Sequence, residues 1–394
     1  MQDDRRHRRG AAVLRRQHGA AALAIAAVAA GAPAGRLAAW LSPSRPSRAA
    51  HLVRSALPRR PVTLGLGLAL GGEGGVRLAG AEQRGPIKLR KEIAETGLQE
   101  FNLDEFEAMR DDGPRTSKYA AAIQRRLKGQ EGKAVVVDIG TGPFALLAVI
   151  AAKAGARRVY AIEKTPVVAE LAREAVAAEG LQDKITVIEG NALKVEVPER
   201  ADFIVSELIG SIAKQEGVQR IIEDANKRFL KKKPRGAGCP QQIPASCQTF
   251  IAPVSFKYHP LLRAKPEWTP LRLDSMSRDI GFLAEEQLLE DFDYCNPSRG
   301  GREEKRKFTF KVSEEAWRKA GGVFSGVAMW CRVKMDEVDV IEVKGVRSHW
   351  AYVVALMCEQ PLPIQAPSEI RLESRIDFGS DPVRYVFEAE VLPA

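Results

Sequence analysis

The stretch KAVVVDIGTG, residues 133–142, decides the fold of this chain of 394 residues. A short apolar run that ends in a turn with two glycines is typical of a buried parallel strand leading into a helix. Glycine allows the backbone of such a turn to approach a ligand closely, ahead of the helix N-terminus. The stretch therefore predicts the first βαβ unit of a ligand-binding α/β sheet.

The sequence around this stretch alternates strictly between strand and helix patterns, which predicts a parallel sheet with right-handed crossovers. From about residue 239 short β-branched and aromatic strands predict an antiparallel β-barrel or sandwich. Residues 86–110 and 283–289 have helical patterns. The predicted α/β elements lie at 133–139, 144–154, 158–162, 166–178, 185–188, 201–206 and 217–230.

Charge separates a leader from the rest of the chain. The formal net charge is +10, but residues 1–72 hold twelve Arg, no Lys and two Asp, so the remainder is formally neutral. The charge is therefore no evidence that the body binds nucleic acid. An Ala-rich apolar run followed by an acid-free Arg/Ser/Pro segment predicts targeting to a plastid or another organelle, with a cytoplasmic location as the alternative. Residues 73–85 form a Gly-rich linker, and no run predicts a membrane span.

The five cysteines show neither C-x-x-C pairs nor the spacing of a zinc site, so we expect no metal and no disulfide framework.

The glycine turn admits two classes of cofactor. Gly140-x-Gly142-x-x-Ala145 fits a dinucleotide fingerprint. Asp138 favours S-adenosylmethionine, because a carboxylate attracts its ammonium and sulfonium groups but would repel a pyrophosphate. Glu163 ends the second strand, where an acid can accept hydrogen bonds from ribose hydroxyls in either class.

Asn191 and Ala192 follow the third strand of the predicted sheet. Their backbone and the Asn side chain could contact an adenine edge. An ordinary polar turn is the alternative, because such residues commonly mark loops.

Two acidic residues follow the fourth strand, in a segment that reads SELIGSIAKQE over residues 206–216. Ligands of open α/β sheets lie beyond the carboxyl ends of the strands, which places Glu207 at a site. Glu216 is nine residues further along, and two carboxylates could hold a planar guanidinium from two sides. The alternative is a pair of solvated acids.

Over residues 100–394 the sequence resembles the protein arginine methyltransferases. The segment 206–216 is similar to their double-glutamate loop, with the Gly-Ser pair closest to the symmetric-dimethylating branch. Three more stretches carry the resemblance: EAMRDDGPRT at 107–116, AAKAGA at 151–156 with Ile162-Glu163, and Ser348-His349-Trp350.

The resemblance implies a Rossmann-like methyltransferase domain with N-terminal helices at 86–238 and a β-barrel substrate domain at 239–394. S-adenosylmethionine is the implied cofactor and arginine-containing, often Arg/Gly-rich, proteins are the implied substrates. Family members commonly form dimers through an arm that emerges from the barrel, and residues 267–295 are our candidate.

Site residues follow from the same resemblance. Arg115 would hold the cofactor carboxylate, and Met109 and Trp350 would lie next to the substrate. His349 would pair with Asp112, and this pair or Glu216 would remove the proton after transfer. Because Met109 is typical of asymmetric-dimethylating members and the Gly-Ser pair is not, the product type stays open.

Three other functions remain as alternatives. The chain could be a class I methyltransferase with a non-arginine acceptor, or a methyltransferase-like scaffold. Two departures from the family pattern keep the scaffold open as an alternative. Pro143 and Phe144 lengthen the glycine loop, and Leu193 stands where the family has an adenine-binding acid. An NAD-dependent oxidoreductase is disfavoured by Asp138 and by the double-glutamate segment.

Overall fold

The computed structural model describes residues 86–94, 102–232, 241–262, 270–297 and 301–392. The predicted leader and the whole of the predicted linker lie outside these residues. The described residues divide into an α/β domain and a β domain. Among them, no helix is both long and apolar enough to cross a membrane.

The chain begins its described part with strand β1 Ile87–Ala94, which belongs to the β domain. The α/β domain contains the strands β2 Val135–Ile139, β3 Arg158–Glu163, β4 Ile185–Glu189, β5 Phe203–Ser206 and β6 Gln242–Ile243. They form a five-stranded parallel sheet in the order β4-β3-β2-β5-β6. The glycine turn follows β2, whose five residues are all buried, as expected for a parallel strand covered on both faces.

Helices accompany this sheet at α1 Leu103–Asp111, α2 Gly113–Leu127, α3 Leu146–Lys153, α4 Pro166–Ala178 and α5 Val218–Arg228. Asp112 caps α2 by accepting a hydrogen bond from the main-chain N–H of Arg115. Pro166 opens α4, where the missing N–H of proline costs nothing.

The β domain continues with the strands β7 Ser246–Phe256, β8 Leu271–Asp274, β9 Ile280–Phe282, β10 Gln287–Asp293, β11 Glu303–Val312, β12 Val323–Phe324, β13 Gly326–Lys334, β14 Val340–Glu342, β15 Ala351–Leu356, β16 Leu362–Pro363, β17 Ser368–Asp377 and β18 Arg384–Leu392. They form two antiparallel sheets and a short two-stranded pair. The larger sheet runs β10-β7-β13-β15-β8, with β9 on β7 and β14 on β13; the smaller runs β1-β18-β17-β11; and β12 pairs with β16. The helix α6 His259–Leu262 lies between β7 and β8, and the helix α7 Glu314–Ala320 lies between β11 and β12.

The prediction of an N-terminal helix from residue 86 is wrong for its first part. Residues 87–94 form strand β1, which pairs antiparallel with β18 at the end of the chain. The first described segment therefore belongs to the β domain, and the predicted domain beginning at 86 combines parts of two domains. The local sequence pattern does not indicate this strand, because its partner strand lies about 300 residues away.

The expectation of an irregular, partly helical insertion at 267–295 is also wrong in the described part. Strands β8, β9 and β10 all join the larger sheet, and Gln287–Asp293 is extended rather than helical. Pairing with β7 provides main-chain hydrogen bonds that outweigh the local helical pattern. Self-association through this segment stays a prediction.

One apolar core runs from the parallel sheet into the larger antiparallel sheet and joins side chains such as Val136 and Phe203 to Trp330 and Trp350. A second core lies between the two antiparallel sheets. Cys247, Cys331 and Cys358 carry free thiols, and Cys295 is disulfide-bonded.

Candidate active site between the glycine turn and the double-glutamate loop

The sheet register brings the two predicted loops together. Strands β2 and β5 are neighbours on either side of the point where the strand order reverses, and Ile139 lies opposite Ser206. Gly140 and Glu207 are the next residues after the two strands, so both loops begin at one crevice. Open α/β sheets bind their ligands at such a point.

The glycine turn has the conformation that its sequence predicts. Gly140 and Gly142 have φ of +75° and +67°, which residues with a side chain rarely adopt. A Cβ at Gly140 would lie 2.8 Å from Cδ2 of Leu208 in the neighbouring loop. The backbone conformation therefore favours glycine here, and a side chain at this position would force Leu208 to shift.

Asp138 lies fully buried behind this turn. Its Oδ2 accepts hydrogen bonds from the Thr141 hydroxyl at 2.6 Å and the Ala148 N–H at 3.0 Å, whereas its Oδ1 has no partner in the described structure. Burial raises the pKa of Asp138 to about 7 despite these hydrogen bonds. The carboxyl group can therefore change its charge near neutral pH, in response to whatever occupies the turn.

Glu163 is nearly buried at the end of β3, as predicted. Its Oε2 accepts the N–H of Gly142 at 3.2 Å and its Oε1 accepts the N–H of Thr165 at 3.0 Å. Each carboxylate oxygen can accept a second hydrogen bond. Glu163 thus fixes the glycine turn, and its oxygens can still accept hydrogen bonds from ribose hydroxyls.

Asn191 and Ala192 form a polar turn. The Asn191 side chain is exposed and accepts the N–H of Leu193 at 2.9 Å. The carbonyl of Ala192 accepts a hydrogen bond from Arg228 on α5. These contacts are those of the polar-turn alternative, and a role in holding adenine stays a prediction.

Arg115 and Glu207 form an almost buried ion pair. Nη2 of Arg115 lies 2.8 Å from Oε2 of Glu207, and the two side chains are 5% and 9% exposed. Nη1 of Arg115 donates to the carbonyl of Met109 at 3.2 Å, and Oε1 of Glu207 accepts the N–H of Ile209 at 3.2 Å. Arg115, predicted to hold a cofactor carboxylate, is thus placed against the acid predicted to bind substrate.

The buried Nε–H of Arg115 has no hydrogen-bond partner among the described residues. The guanidinium therefore still has a donor for a carboxylate. With the glycine turn and Glu163, these residues fit the amino-acid and ribose parts of S-adenosylmethionine.

The β domain holds the loop that follows Glu207. Nε1 of Trp350 donates to the carbonyl of Ile209 at 3.1 Å, and the Cys331 thiol donates to the carbonyl of Ser211 at 3.3 Å. The N–H of Ala213 donates to the Thr249 hydroxyl at 2.8 Å. The conformation of this loop is therefore set by strands that lie far away in sequence.

Glu216 differs from Glu207 in its surroundings. It is exposed and precedes Gly217, which has φ of +72° and caps the start of α5. The structure thus provides one nearly buried carboxylate and one exposed carboxylate on the same loop. That both close on one guanidinium stays a prediction.

Asp112 and His349 are paired across the domain interface, as the resemblance implied. Nδ1 of His349 lies 2.9 Å from Oδ2 of Asp112, which also accepts the main-chain N–H of His349 and the Ser348 hydroxyl. Burial raises the pKa of Asp112, but the hydrogen bonds from His349 and from the Arg115 N–H outweigh it and lower this pKa to about 2. Donation from Nδ1 leaves Nε2 of a neutral His349 as a proton acceptor.

Helix α1 covers the glycine turn. A Cβ at Gly142 would lie 3.3 Å from the Phe106 ring, and the Arg110 guanidinium lies 4.6 Å from the ring centroid of Phe144. Met109, half-buried on the same helix, contacts Arg115 through its carbonyl. The lengthened glycine loop therefore places an aromatic ring against α1.

Sequence reasoning missed Thr249 and Cys331, which anchor the double-glutamate loop. Both lie within apolar strands of the β domain, and their partners are 36 and 120 residues away. A polar residue at an inward-facing position of an apolar strand was the signal in the sequence that could have indicated these anchors.

Comparison with known proteins agrees with this geometry. Residues 98–235 match the family model described as PRMT5 arginine-N-methyltransferase. The resemblance to the protein arginine methyltransferases is confirmed. The sequence is 37% identical over 149 residues to a probable protein arginine N-methyltransferase 6 of Arabidopsis thaliana and 36% identical over 150 residues to a probable histone-arginine methyltransferase CARM1 of Oryza sativa. Each match covers 38% of this chain, but only 32% and 27% of the relative, so the chain spans about a third of their length.

Solved structures extend the likeness to both domains. The uniquely open conformation of Arabidopsis thaliana protein arginine methyltransferase 10 has a TM-score of 0.62 and 21% identity, and the alignment covers 74% of this chain and 94% of that one. The Trypanosoma brucei PRMT1 enzyme–prozyme heterotetrameric complex with AdoHcy has a TM-score of 0.55 and 19% identity, with coverage of 70% and 88%. The fold is a methyltransferase domain joined to a β-barrel.

Proposed function

We propose that this chain transfers a methyl group from S-adenosylmethionine to a guanidinium nitrogen of arginine in protein substrates. The observation that carries the proposal is the nearly buried Glu207 carboxylate, which is paired with Arg115. Glu207 directly follows the last residue of β5, and that residue lies opposite Ile139, the last residue before the glycine turn. The match of residues 98–235 and the likeness to a complex with AdoHcy support the choice of reaction and cofactor.

Glu207 is suited to bind a guanidinium because its position is fixed before the substrate arrives. One oxygen is held by Arg115 and the other by the N–H of Ile209. Each oxygen retains a lone pair for a charge-assisted hydrogen bond, and a planar guanidinium can use both. Binding there concentrates positive charge toward the carboxylate and leaves another nitrogen more nucleophilic. Positioning of this kind is worth up to about 7–11 kcal/mol in well-oriented reactions.

The cofactor would be held by the glycine turn at Gly140 and Gly142, by Glu163 and by the remaining donor of Arg115. When bound, S-adenosylmethionine supplies the methyl group on a sulfonium centre. Asp138 steadies the turn from behind through Thr141. The proton lost by the guanidinium can pass to Nε2 of His349, whose ring is oriented by Asp112, or to the exposed Glu216.

Substrates of this reaction are arginine-containing proteins, and we propose that the chain also self-associates. The heterotetrameric state of the trypanosomal neighbour supports the formation of an oligomer.

The test is transfer of a tritiated methyl group from S-adenosylmethionine by the full chain to an Arg/Gly-rich peptide. The matched peptide has lysine in place of every arginine. We expect counts with the arginine peptide alone. Counts with both peptides would point to another acceptor, and no counts with either peptide, despite cofactor binding by calorimetry, would refute arginine methylation.

A further inference from the structure

A buried carboxylate of the β domain is linked to the double-glutamate loop through the hydroxyl group of Thr249. Glu290 on β10 is fully buried, and its Oε2 accepts the Thr249 hydroxyl at 2.7 Å. The same Thr249 oxygen accepts the N–H of Ala213 at 2.8 Å. The chain of hydrogen bonds therefore runs in one direction, from the loop N–H through a hydroxyl to a carboxylate.

All three residues that form this series of hydrogen bonds are inaccessible to solvent. Ala213, Thr249 and Glu290 each have no exposed surface. Water is therefore excluded as a substitute partner, and loss of the hydroxyl would leave a buried N–H and a buried carboxylate oxygen without this hydrogen bond. On its other oxygen Glu290 accepts the Tyr385 hydroxyl at 3.1 Å.

The next loop residue supplies a positive charge. Nζ of the buried Lys214 lies 3.0 Å from Oε1 of Glu304 and 3.9 Å from the ring centroid of Phe378. Burial raises the pKa of Glu290, and the nearby charge of Lys214 together with the bonds from Thr249 and Tyr385 opposes that rise. The positive charge of Lys214 on the loop thus offsets part of the cost of burying the Glu290 carboxylate.

We propose that Glu290 is a positioning residue for arginine binding: acting through Thr249, it fixes the loop at Ala213, between Glu207 and Glu216. This inference rests on the proposed function. Ala213 lies six residues after Glu207 and three before Glu216, so a displacement of its main chain changes the distance between the two acids. A misplacement of about 1 Å at a reacting group can cost on the order of 10²-fold in rate.

Thr249→Val tests the proposal in the full chain, with Thr249→Ser as the matched control. Valine keeps the shape of threonine but removes the hydroxyl, whereas serine restores it. We expect Thr249→Val to raise the KM for the arginine peptide about fivefold or more and to change the KM for S-adenosylmethionine less than about twofold. Amide hydrogen exchange at Ala213 and Lys214 should become about tenfold faster, and Thr249→Ser should stay within about twofold of the wild type in all three.

Tyr385→Phe is the comparison for stability. It removes a bond to the other oxygen of Glu290 and leaves the link to Ala213 in place. We expect a loss of melting temperature similar to that of Thr249→Val, with a smaller change in peptide KM and in exchange at Ala213. If both variants change peptide KM and exchange in proportion to melting temperature, Glu290 is merely structural and the proposal is overturned.

Two further outcomes keep the result separate from the proposed function. If the wild type does not methylate arginine, the proposed function fails, whereas unchanged exchange at Ala213 in Thr249→Val would overturn the positioning role alone. Should Thr249→Val not fold, Glu290→Gln removes the charge with little change of shape. Faster exchange at Ala213 in that variant would support the proposal and unchanged exchange would overturn it.

Discussion

Asp112→Asn removes one negative charge from the contact between the two domains. The Asp112 carboxylate accepts four hydrogen bonds in the structure: two from His349, one from the Ser348 hydroxyl and one from the Arg115 N–H. Asparagine caps a helix about as well as aspartate does, so the N-terminus of α2 is preserved. The substitution therefore isolates the charge and its pairing with His349.

The magnitude follows from the pKa of Asp112, which is lowered to about 2 from an ordinary value of 3.8. One pKa unit corresponds to about 1.4 kcal/mol, so the full shift corresponds to about 2.5 kcal/mol. Asparagine keeps an acceptor oxygen for part of these hydrogen bonds, and we expect Asp112→Asn to lower the free energy of unfolding by about 1–2 kcal/mol at pH 7. Because the pKa is lowered in the folded state, this stability is present above pH about 4 and is lost as the pH falls toward about 2.

The assay is urea unfolding of the wild type and Asp112→Asn at pH 7, 5, 4 and 3.5. The control is Asp111→Asn, because Asp111 is the adjacent carboxylate and its side chain is 66% exposed. The control should change the free energy by less than about 0.5 kcal/mol. Equal losses in both variants, or a loss from Asp112→Asn that is no smaller at pH 3.5 than at pH 7, would refute the reasoning.

Three other substitutions test the remaining parts of the site. Glu207→Gln strands the buried guanidinium beside it and should reduce methyl transfer in a peptide assay by about 10²–10³-fold, which corresponds to about 3–4 kcal/mol. Unchanged transfer would exclude the guanidinium-binding role. Gly140→Ala should weaken S-adenosylmethionine binding in calorimetry more than about tenfold, because the new Cβ would meet Leu208. The control Gly129→Ala, at a glycine with φ of +79° and open space around it, should bind the cofactor normally, and equal affinities of the two variants would contradict the close approach at the turn. Because its pKa is raised, Asp138 favours the protonated carboxyl in the folded state, and the wild type should lose stability as the pH rises from about 4 to about 7. Asp138→Asn should abolish this loss, and an unchanged pH profile in urea unfolding would contradict the burial argument.

The α/β domain could be predicted from sequence because its elements are local. The strand at 135–139 lies within the predicted range 133–139, and the helix at 166–178 has the predicted bounds. The crevice was predictable as well, since the carboxyl ends of neighbouring parallel strands meet at one edge of the sheet. Glu163 and Glu207 lie at that edge for this reason.

The β domain and the supports of the site were less predictable because they depend on distant pairing. Residues 87–94 have a helical pattern but find a strand partner near the end of the chain. Glu290 follows an irregularity in the pairing of β10 with β7, and only that register directs it toward Thr249. The pairing of His349 with Asp112 was predicted through family resemblance alone, since 237 residues separate them.

The most direct test of the central claim is amino-acid analysis of the tritiated peptide produced by the wild type and by Glu207→Gln. We predict radioactive methylarginine from the wild type and at most about 1% of that amount from Glu207→Gln, with S-adenosylmethionine binding unchanged within a few fold. The chromatogram would also identify the methylarginine isomer. Label on any other residue, or equal amounts of methylarginine from both proteins, would contradict the claim that Glu207 holds the substrate guanidinium.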